Sequence, residues 1–373
     1  MAILLISPES WDAHAVSKHH YACTLASQGH RVLFLDPPEP GRRRLTLEPI
    51  AEHPGVVRVR APRVSPGLRR MPGRLRRWLE HRWLRRLERR AGCKIEVIWL
   101  FENSRFFDLR FAQSRLKIYH QVDLNQDFHP GIAAQTADIC FCTSELIRKR
   151  LLPHNAKTYF IQHGTALSRF VRLAEHQQAR LFGGQFKAVY VGNLYIPYLD
   201  WKLLVSLIRS HSNVQFNLIG DFDAHGDPYQ RLKHAVNVNW WGRVDSVLIP
   251  SILEQADVLL LCYSQLYQEQ VSNPHKLMEY MASGRTVVAT YIDEYKNYRD
   301  LLVMGEPGSN AGYPELFANA LSQLTTLNSS ERMEARQAFA ADHTYPRQLE
   351  RIRSLLLMHG YSLPAPLNTS VLP

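Results

Sequence analysis

"VSNPHKLMEYMASGRTVVAT", residues 271–290, decides how this chain is read. An Asn-Pro pair opens it, apolar residues follow at helical spacing, a glycine closes the helix, and a β-branched run begins. Asn273 is a good N-cap, and Pro274 suits the first helical position, where its missing N–H costs nothing. Gly284 is a helix stop, and "TVVAT" is a buried strand. Helix into strand is the repeating unit of an α/β fold. Lys276 falls in the first turn, where its ammonium and the free backbone N–H groups converge on one point. That is an anion site, and a diphosphate suits it. Glu279, three residues on, lies on the same face and could accept hydrogen bonds from the vicinal hydroxyls of a ribose. A surface i,i+3 ion pair explains the two residues equally simply, and spacing alone leaves both readings open.

Outward from this helix the alternation repeats. "KAVYVGN" (187–193), "VQFNLIG" (214–220), "VNVNWWG" (236–242) and "DVLLLCY" (257–263) read as strands, with helices over 200–210 and 246–256. The amino-terminal half has its own series. "AILLIS" (2–7), a helix over 15–28 stopped by Gly29, and "RVLFLD" (31–36) make a βαβ opening. Strands follow at 55–60, 96–101, 116–121, 138–143 and 157–162. Apolar strands alternating with helices predict parallel sheets. The expected fold class is α/β, with two Rossmann-like domains over 1–170 and 187–335 facing a central cleft. A polar linker over 171–186 joins them, and ligands are expected at the strand C-terminal ends. A last amphipathic helix is expected over 345–360.

The length of 373 residues suits two domains of ordinary size. Five cysteines, Cys23, Cys93, Cys140, Cys142 and Cys262, include no C-x-x-C. They read as small buried thiols of a reducing compartment, not as a disulfide framework or metal site. Met1–Ser7 reads as a first strand rather than a leader, and no apolar run approaches the roughly 20 residues of a bilayer span. A cytoplasmic location is the expectation.

The net charge of +11 is uneven. Residues 42–90 hold sixteen Arg against four Glu, with no Lys or Asp, a charge of +12 that leaves −1 for the rest. Within it, "PGRLRRWLEHRWLRRLERRAG" (72–92) sets Leu75, Trp78, Leu79, Trp83, Leu84 and Leu87 at helical spacing among arginines. An amphipathic helix of this kind suits an anionic membrane surface and a peripheral position on the inner face of the membrane. Packing on its own domain with a solvated basic side is the plainer alternative. Nucleic-acid binding is the competing class. No nucleic-acid motif is present, the charge is confined to one segment, and stacking aromatics are limited to the two Trp, so no nucleic-acid partner is expected.

"SNPHKLMEYMASGRTVVAT" resembles the nucleotide-sugar-binding signature of GT-B glycosyltransferases, in the family 4-like (group 1) branch, N-P-x-K-L-x-E-Y-M/L-A-x-G-x-P-V-V. The match runs through Asn273, Pro274, Lys276, Leu277, Glu279, Tyr280, Met281, Ala282, Gly284, Val287 and Val288, with Thr286 where the pattern favours Pro. "AVYVGNLYIPYLDWKLLVSLI" (188–208), "NLIGD" (217–221), "CTSELIRKRLL" and "YFIQHGTALSRF" resemble further family segments, so the likeness spans most of 115–300. It implies two Rossmann-like domains, a nucleotide-sugar donor on the second, an acceptor on the first, and a C-terminal helix crossing back to the first. The implied activity is transfer of a sugar, from a UDP- or GDP-linked donor, to a glycan or lipid-linked acceptor in bacterial surface polysaccharide synthesis. A sugar-nucleotide epimerase on the same fold is the alternative.

The departures point to a divergent member, similar to xanthan glucuronosyltransferase or teichuronic-acid-type transferases. Val271 stands where many members carry a second Glu, the loop "SPESWDAHAVSKHH" has no glycine, and "HGTA" replaces N-G-V-D. In that neighbourhood an Asp follows a Y-x-x-x-D strand end, and "YHQVDLNQDF" (119–128) offers Asp123 as catalytic base, with Asp127 second. Either could instead cap the next helix. Lys276 and its helix N-terminus would stabilise the leaving diphosphate, so no metal is required. Asn273, Tyr263, Gly192, Asn193 and His163 complete the candidate donor site. Tyr263 could cover the nucleotide or be a core aromatic. Gly192 and Asn193 could admit a ligand or merely turn the chain. His163 could touch the donor or be a satisfied histidine between domains. Ser17, Lys18, His19 and His20 open the first helix, where an acceptor or phosphate could sit, or merely a solvated helix start.

Overall fold

The computed structural model describes residues 1–13, 15–124, 128–166, 173, 177, 185–265 and 273–363. The chain divides into two compact units, Met1–His163 with Tyr345–Pro373, and Gly164–Thr344. The division falls at His163/Gly164. The segment read as a linker, 171–186, lies almost wholly outside the described residues, as do Val271 and Asp127.

Unit 1 contains β1 (Ala2–Ile6), β2 (Arg31–Leu35), β3 (Thr46–Pro49), β4 (Val56–Arg60), β5 (Val97–Leu100), β6 (Leu116–Gln121), β7 (Ile139–Cys142) and β8 (Thr158–Phe160). Their order across the sheet is β3-β4-β2-β1-β5-β6-β7-β8, parallel except for β3, which pairs antiparallel with β4 at the edge. Its helices are α1 (Ser17–Ser27), α2 (Gly73–Ala91), α3 (Pro130–Thr136) and α4 (Glu145–Leu151). Every residue of β1 is buried, because a parallel sheet is covered on both faces. Leu4 and Ile6 face one core, while Ile3 and Leu5 face the other with Tyr21 and Leu25 of α1. The last helix belongs to this unit: its Tyr345, Leu349, Ile352 and Leu356 pack into the α1 core.

Unit 2 carries β9 (Phe186–Val191), β10 (Val214–Ile219), β11 (Val238–Gly242), β12 (Val258–Leu261), β13 (Thr286–Ala289) and β14 (Val303–Met304). The sheet order is β11-β10-β9-β12-β13-β14, all parallel. Counted from β9, this is the 3-2-1-4-5-6 Rossmann order, with its switch point between β9 and β12. Its helices are α5 (Trp201–Ser210), α6 (Asp227–Leu232), α7 (Ile249–Glu254), α8 (Lys276–Ser283), α9 (Tyr313–Ser322), α10 (Leu324–Leu327) and α11 (Ser330–Asp342); the last helix of the chain, in unit 1, is α12 (Tyr345–Met358).

Three expectations need correction. The apolar residues of 72–92 do not share a face. Trp83, Leu84 and Leu87 are buried in the core of unit 1, whereas Leu75 and Trp78 are 46% and 55% exposed on the opposite side. At 100° per residue, positions 75 and 78 point away from 84 and 87, so the six never formed one stripe. Cys140, Cys142 and Cys262 are buried, but Cys23 and Cys93 are only partly so; all five are free thiols. Finally, regular helix begins at Lys276, two residues after Pro274. His275, already in helical geometry, precedes it, and no side chain caps it.

Candidate active site

At the switch point of unit 2, Gly192 follows β9 with φ +144 and Gly220 follows β10 with φ +138, values that favour glycine. The two turns interlock: Gly192 N–H donates to Ile219 O (2.9 Å), Gly220 N–H to Gly242 O (2.9 Å), and Leu194 N–H to Asp221 O (3.1 Å). A Cβ on Gly220 would collide with the Gly192 carbonyl, and one on Gly192 would overlap Lys276 Nζ. The glycine at 192 therefore makes room for the lysine. Asn193 serves the turn, its Oδ1 accepting from Tyr195 N–H at 2.8 Å.

Helix α8 delivers Lys276 to this edge. The Val191 N–H donates to Tyr280 Oη (2.8 Å), tying the helix to the end of β9, while Leu277, Met278, Tyr280 and Met281 are buried beneath it. Lys276 Nζ donates to Tyr190 Oη at 2.8 Å and lies 4.1 Å from the Tyr190 ring centroid and 5.5 Å from that of Tyr263. Two aromatic faces thus hold the ammonium by cation–π attraction and one hydrogen bond. Tyr263 is itself fixed: its N–H donates to Thr290 Oγ1 (2.9 Å), its carbonyl accepts from Asn310 Nδ2 (2.8 Å), and Tyr198 meets its ring edge-on at 5.1 Å.

Desolvation pulls Lys276 down to about 7, the charge of Glu279 partly opposing it. Desolvation likewise pushes Glu279 up to about 6, with Lys276 opposing. Both side chains keep some exposure, and among the described residues Glu279 makes no hydrogen bond or ion pair. An unengaged carboxylate therefore sits one turn from a lysine whose ammonium burial destabilises, at the switch point. The backbone contributes less than the sequence suggests, because the Leu277 and Met278 N–H groups are bonded to Pro274 O and His275 O. Asn273 is buried, and the Tyr295 hydroxyl donates to its Oδ1 at 3.4 Å.

The remaining candidates lie in unit 1. His163 is buried, with Nδ1 3.2 Å from Ser17 Oγ and its carbonyl accepting from Gln348 Nε2 at 3.5 Å. Lys18 is buried too and pairs with Glu9 at 2.5 Å. The ring of His19 spans Ser10 O and Val16 N–H, and His20 stacks on Tyr345 at 4.6 Å. The start of α1 is therefore a packed polar cluster rather than a solvated helix end. Asp123 follows β6 with its side chain exposed; partial desolvation by neighbouring protein raises its carboxyl above the ordinary value, with Lys18 opposing.

Two residues escaped the sequence reading. Tyr190 lies two residues before Gly192, on the same side of β9, and that spacing was its only signal. His120 is fully enclosed by Tyr21, Trp99, Phe101 and Phe141, with neither ring nitrogen hydrogen-bonded, and burial holds it near 3. Among the described residues no group of three or more His, Cys, Asp or Glu is placed to hold a metal ion.

Residues 185–326 match the family described as Glycosyl transferases group 1. Unit 2 carries a group 1 glycosyltransferase domain. The match spans β9 to α10, so the group 1 domain contains Gly192, Tyr263, Lys276 and Glu279. The chain is similar to TuaH of Bacillus subtilis (strain 168), named as a teichuronic acid biosynthesis glycosyltransferase, at 26% identity over 163 residues. That alignment covers 42% of this chain and 41% of the relative, less than half of each. Sucrose-phosphate synthase from Thermosynechococcus elongatus superposes with a TM-score of 0.68 at 16% identity, over 96% of this chain and 98% of that one. The Anabaena protein HepE, in complex with UDP and glucose, gives 0.68 at 14% identity, over 96% and 100%. The chain has the GT-B fold, two parallel-sheet α/β units.

Proposed function

We propose that the protein is a glycosyltransferase that moves a sugar from a nucleotide-sugar donor to a glycan or lipid-linked acceptor in bacterial surface polysaccharide synthesis. The observation that carries this reading is a Lys276 held by Tyr190, one turn from an unengaged Glu279, at the switch point of a group 1 domain. Support also comes from the TuaH likeness and from the UDP bound by the similarly folded HepE.

In this reading the donor diphosphate lies against Lys276, and the ribose hydroxyls donate to Glu279. As the bond from sugar to phosphate breaks, negative charge grows on the leaving diphosphate and the ammonium stabilises it. Lys276 is cationic only when protonated, so donor binding draws a proton onto it. The acceptor hydroxyl attacks the anomeric carbon and loses its proton to Asp123, in an inverting reaction. In this reading charge stabilisation by Lys276 makes the reaction independent of a metal. Tyr263 would cover the nucleotide, and Gly192 and Asn193 would border the diphosphate. His163, its Nδ1 beside Ser17 Oγ, is the further candidate for contact with the donor. The protein would work in the cytoplasm, peripherally on the inner face of the membrane, through residues 72–92.

A thermal-shift screen against UDP, GDP, dTDP and CMP tests the donor claim, because a ligand that binds only the folded state raises its apparent stability. The expected result is a shift with one base and its loss in Lys276→Ala. No shift with any nucleotide would overturn the reading.

A further inference from the structure

Helix α2 has two sides of different chemistry. Inward lie Trp83, Leu84, Leu87 and Ala91, and also both of its acids: Glu80 is 1% exposed and Glu88 is 7% exposed. Glu88 pairs with Arg115 at 2.6 Å, and burial pushes Glu80 up to about 8. The outward side therefore keeps no carboxylate of its own helix. It presents Arg74, Arg82, Arg85, Arg86, Arg89 and Arg90, all exposed. Among the described residues only Arg85 of these has an ion pair, with Glu88 at 3.4 Å.

In the middle of this basic side stand Trp78 and Leu75, 55% and 46% exposed. Arg82 lies over the Trp78 ring at 5.6 Å. At the helix entry Arg69 lies over Phe128 at 5.6 Å, another exposed aromatic. A merely solvated basic face gains nothing from an exposed tryptophan and leucine at its centre. Cations around an aromatic and an aliphatic side chain are the composition of an interfacial helix. Among the described residues no helix is long and apolar enough to cross a membrane, so contact would be lateral.

We propose that the outward side of α2 docks the protein on an anionic phospholipid surface, Trp78 and Leu75 entering the interface and the arginines meeting lipid phosphates. This rests on the membrane-peripheral reading above and assigns the contact to the side opposite the buried Trp83–Leu87 stripe. The two groups of residues contribute differently. The arginines give salt-sensitive attraction, screened within about 8 Å at physiological ionic strength. The tryptophan and leucine give a salt-insensitive part.

The test is co-sedimentation of the full chain with vesicles of phosphatidylcholine alone and of phosphatidylcholine mixed with phosphatidylglycerol, over a salt series. Binding is expected only to the mixed vesicles. Neutralising Arg82, Arg86, Arg89 and Arg90 to Gln should weaken it about five-fold per residue and flatten the salt dependence. Trp78→Ser with Leu75→Ser should weaken binding several-fold and leave the salt slope unchanged. Far-ultraviolet circular dichroism and thermal unfolding of each variant check that it is folded. The proposal is overturned if the unaltered chain never sediments with the mixed vesicles, or if both variants sediment as it does. Tighter binding to double-stranded DNA or RNA than to the vesicles at matched salt would also overturn it. Vesicle binding without affinity for any nucleoside diphosphate would sink the glycosyltransferase reading and leave the docking surface standing.

Discussion

Replacing Lys276 by arginine or alanine separates the charge at the switch point from its titration. With Lys276 at about 7, half the ammonium is lost at neutral pH. A diphosphate needs the charged form, so each molecule bound above pH 7 must first be accompanied by a proton. The apparent UDP affinity should then fall about five-fold between pH 7 and 8, and about fifty-fold by pH 9. Proton uptake per UDP should rise from about one half at pH 7 towards one at pH 9. The phosphate of UDP is already ionised across this window, since its own step lies near pH 6. Glu279, at about 6, is also mostly ionised there and does not blur the result. Lys276→Arg carries a charge that does not titrate, so its affinity should stay flat over the same range. Lys276→Ala loses charge-assisted hydrogen bonds of about 1.5–3 kcal/mol, a weakening of roughly 10- to 150-fold at pH 7. Titration calorimetry in buffers of different ionisation enthalpy reads affinity and proton count together. A flat profile without proton uptake in the unaltered protein, or the same slope in Lys276→Arg, would refute the reasoning.

Glu279→Gln removes the negative neighbour that holds part of the Lys276 charge, so the midpoint of the UDP affinity profile should move to lower pH. It should also narrow any preference for UDP over dUDP, and an unchanged midpoint and preference would exclude Glu279 from the site. Gly192→Ala sets a Cβ against Lys276 Nζ at φ +144, a cost of about 1–3 kcal/mol that thermal unfolding would register. Combining it with Lys276→Ala should recover part of that loss, because the two changes share one contact.

The strands were legible because buried parallel strands are continuous apolar runs, and β1, β9, β12 and β13 lie where such runs occur. Strands β3 and β14 were not expected: "TLEP" is a polar edge and "VM" only two residues. Helix α2 was found but its sides were misassigned, because six apolar residues at roughly helical spacing were grouped without following their angles round the axis. At the site, Lys276, Glu279 and Gly192 were legible from types and spacing. The role of Tyr190 was not, since a tyrosine in a strand reads first as core. The departure at Thr286 has a local cause. Its N–H and hydroxyl both donate to Asn328 Oδ1, at 2.9 and 2.7 Å, and a proline there would lose both bonds.

The most direct test of the account is the product formed from a nucleotide sugar. The full chain is incubated with the donor whose base gives a thermal shift, together with a bacterial lipid extract, and mass spectrometry follows lipid, nucleotide and free sugar. Free nucleoside diphosphate should appear together with a glycosylated lipid. Asp123→Asn should stop both while still binding UDP, and activity should fall as pH drops through the raised Asp123 value, because the base must be ionised. An epimerised nucleotide sugar without transfer, or near-normal turnover in Asp123→Asn, would contradict the account.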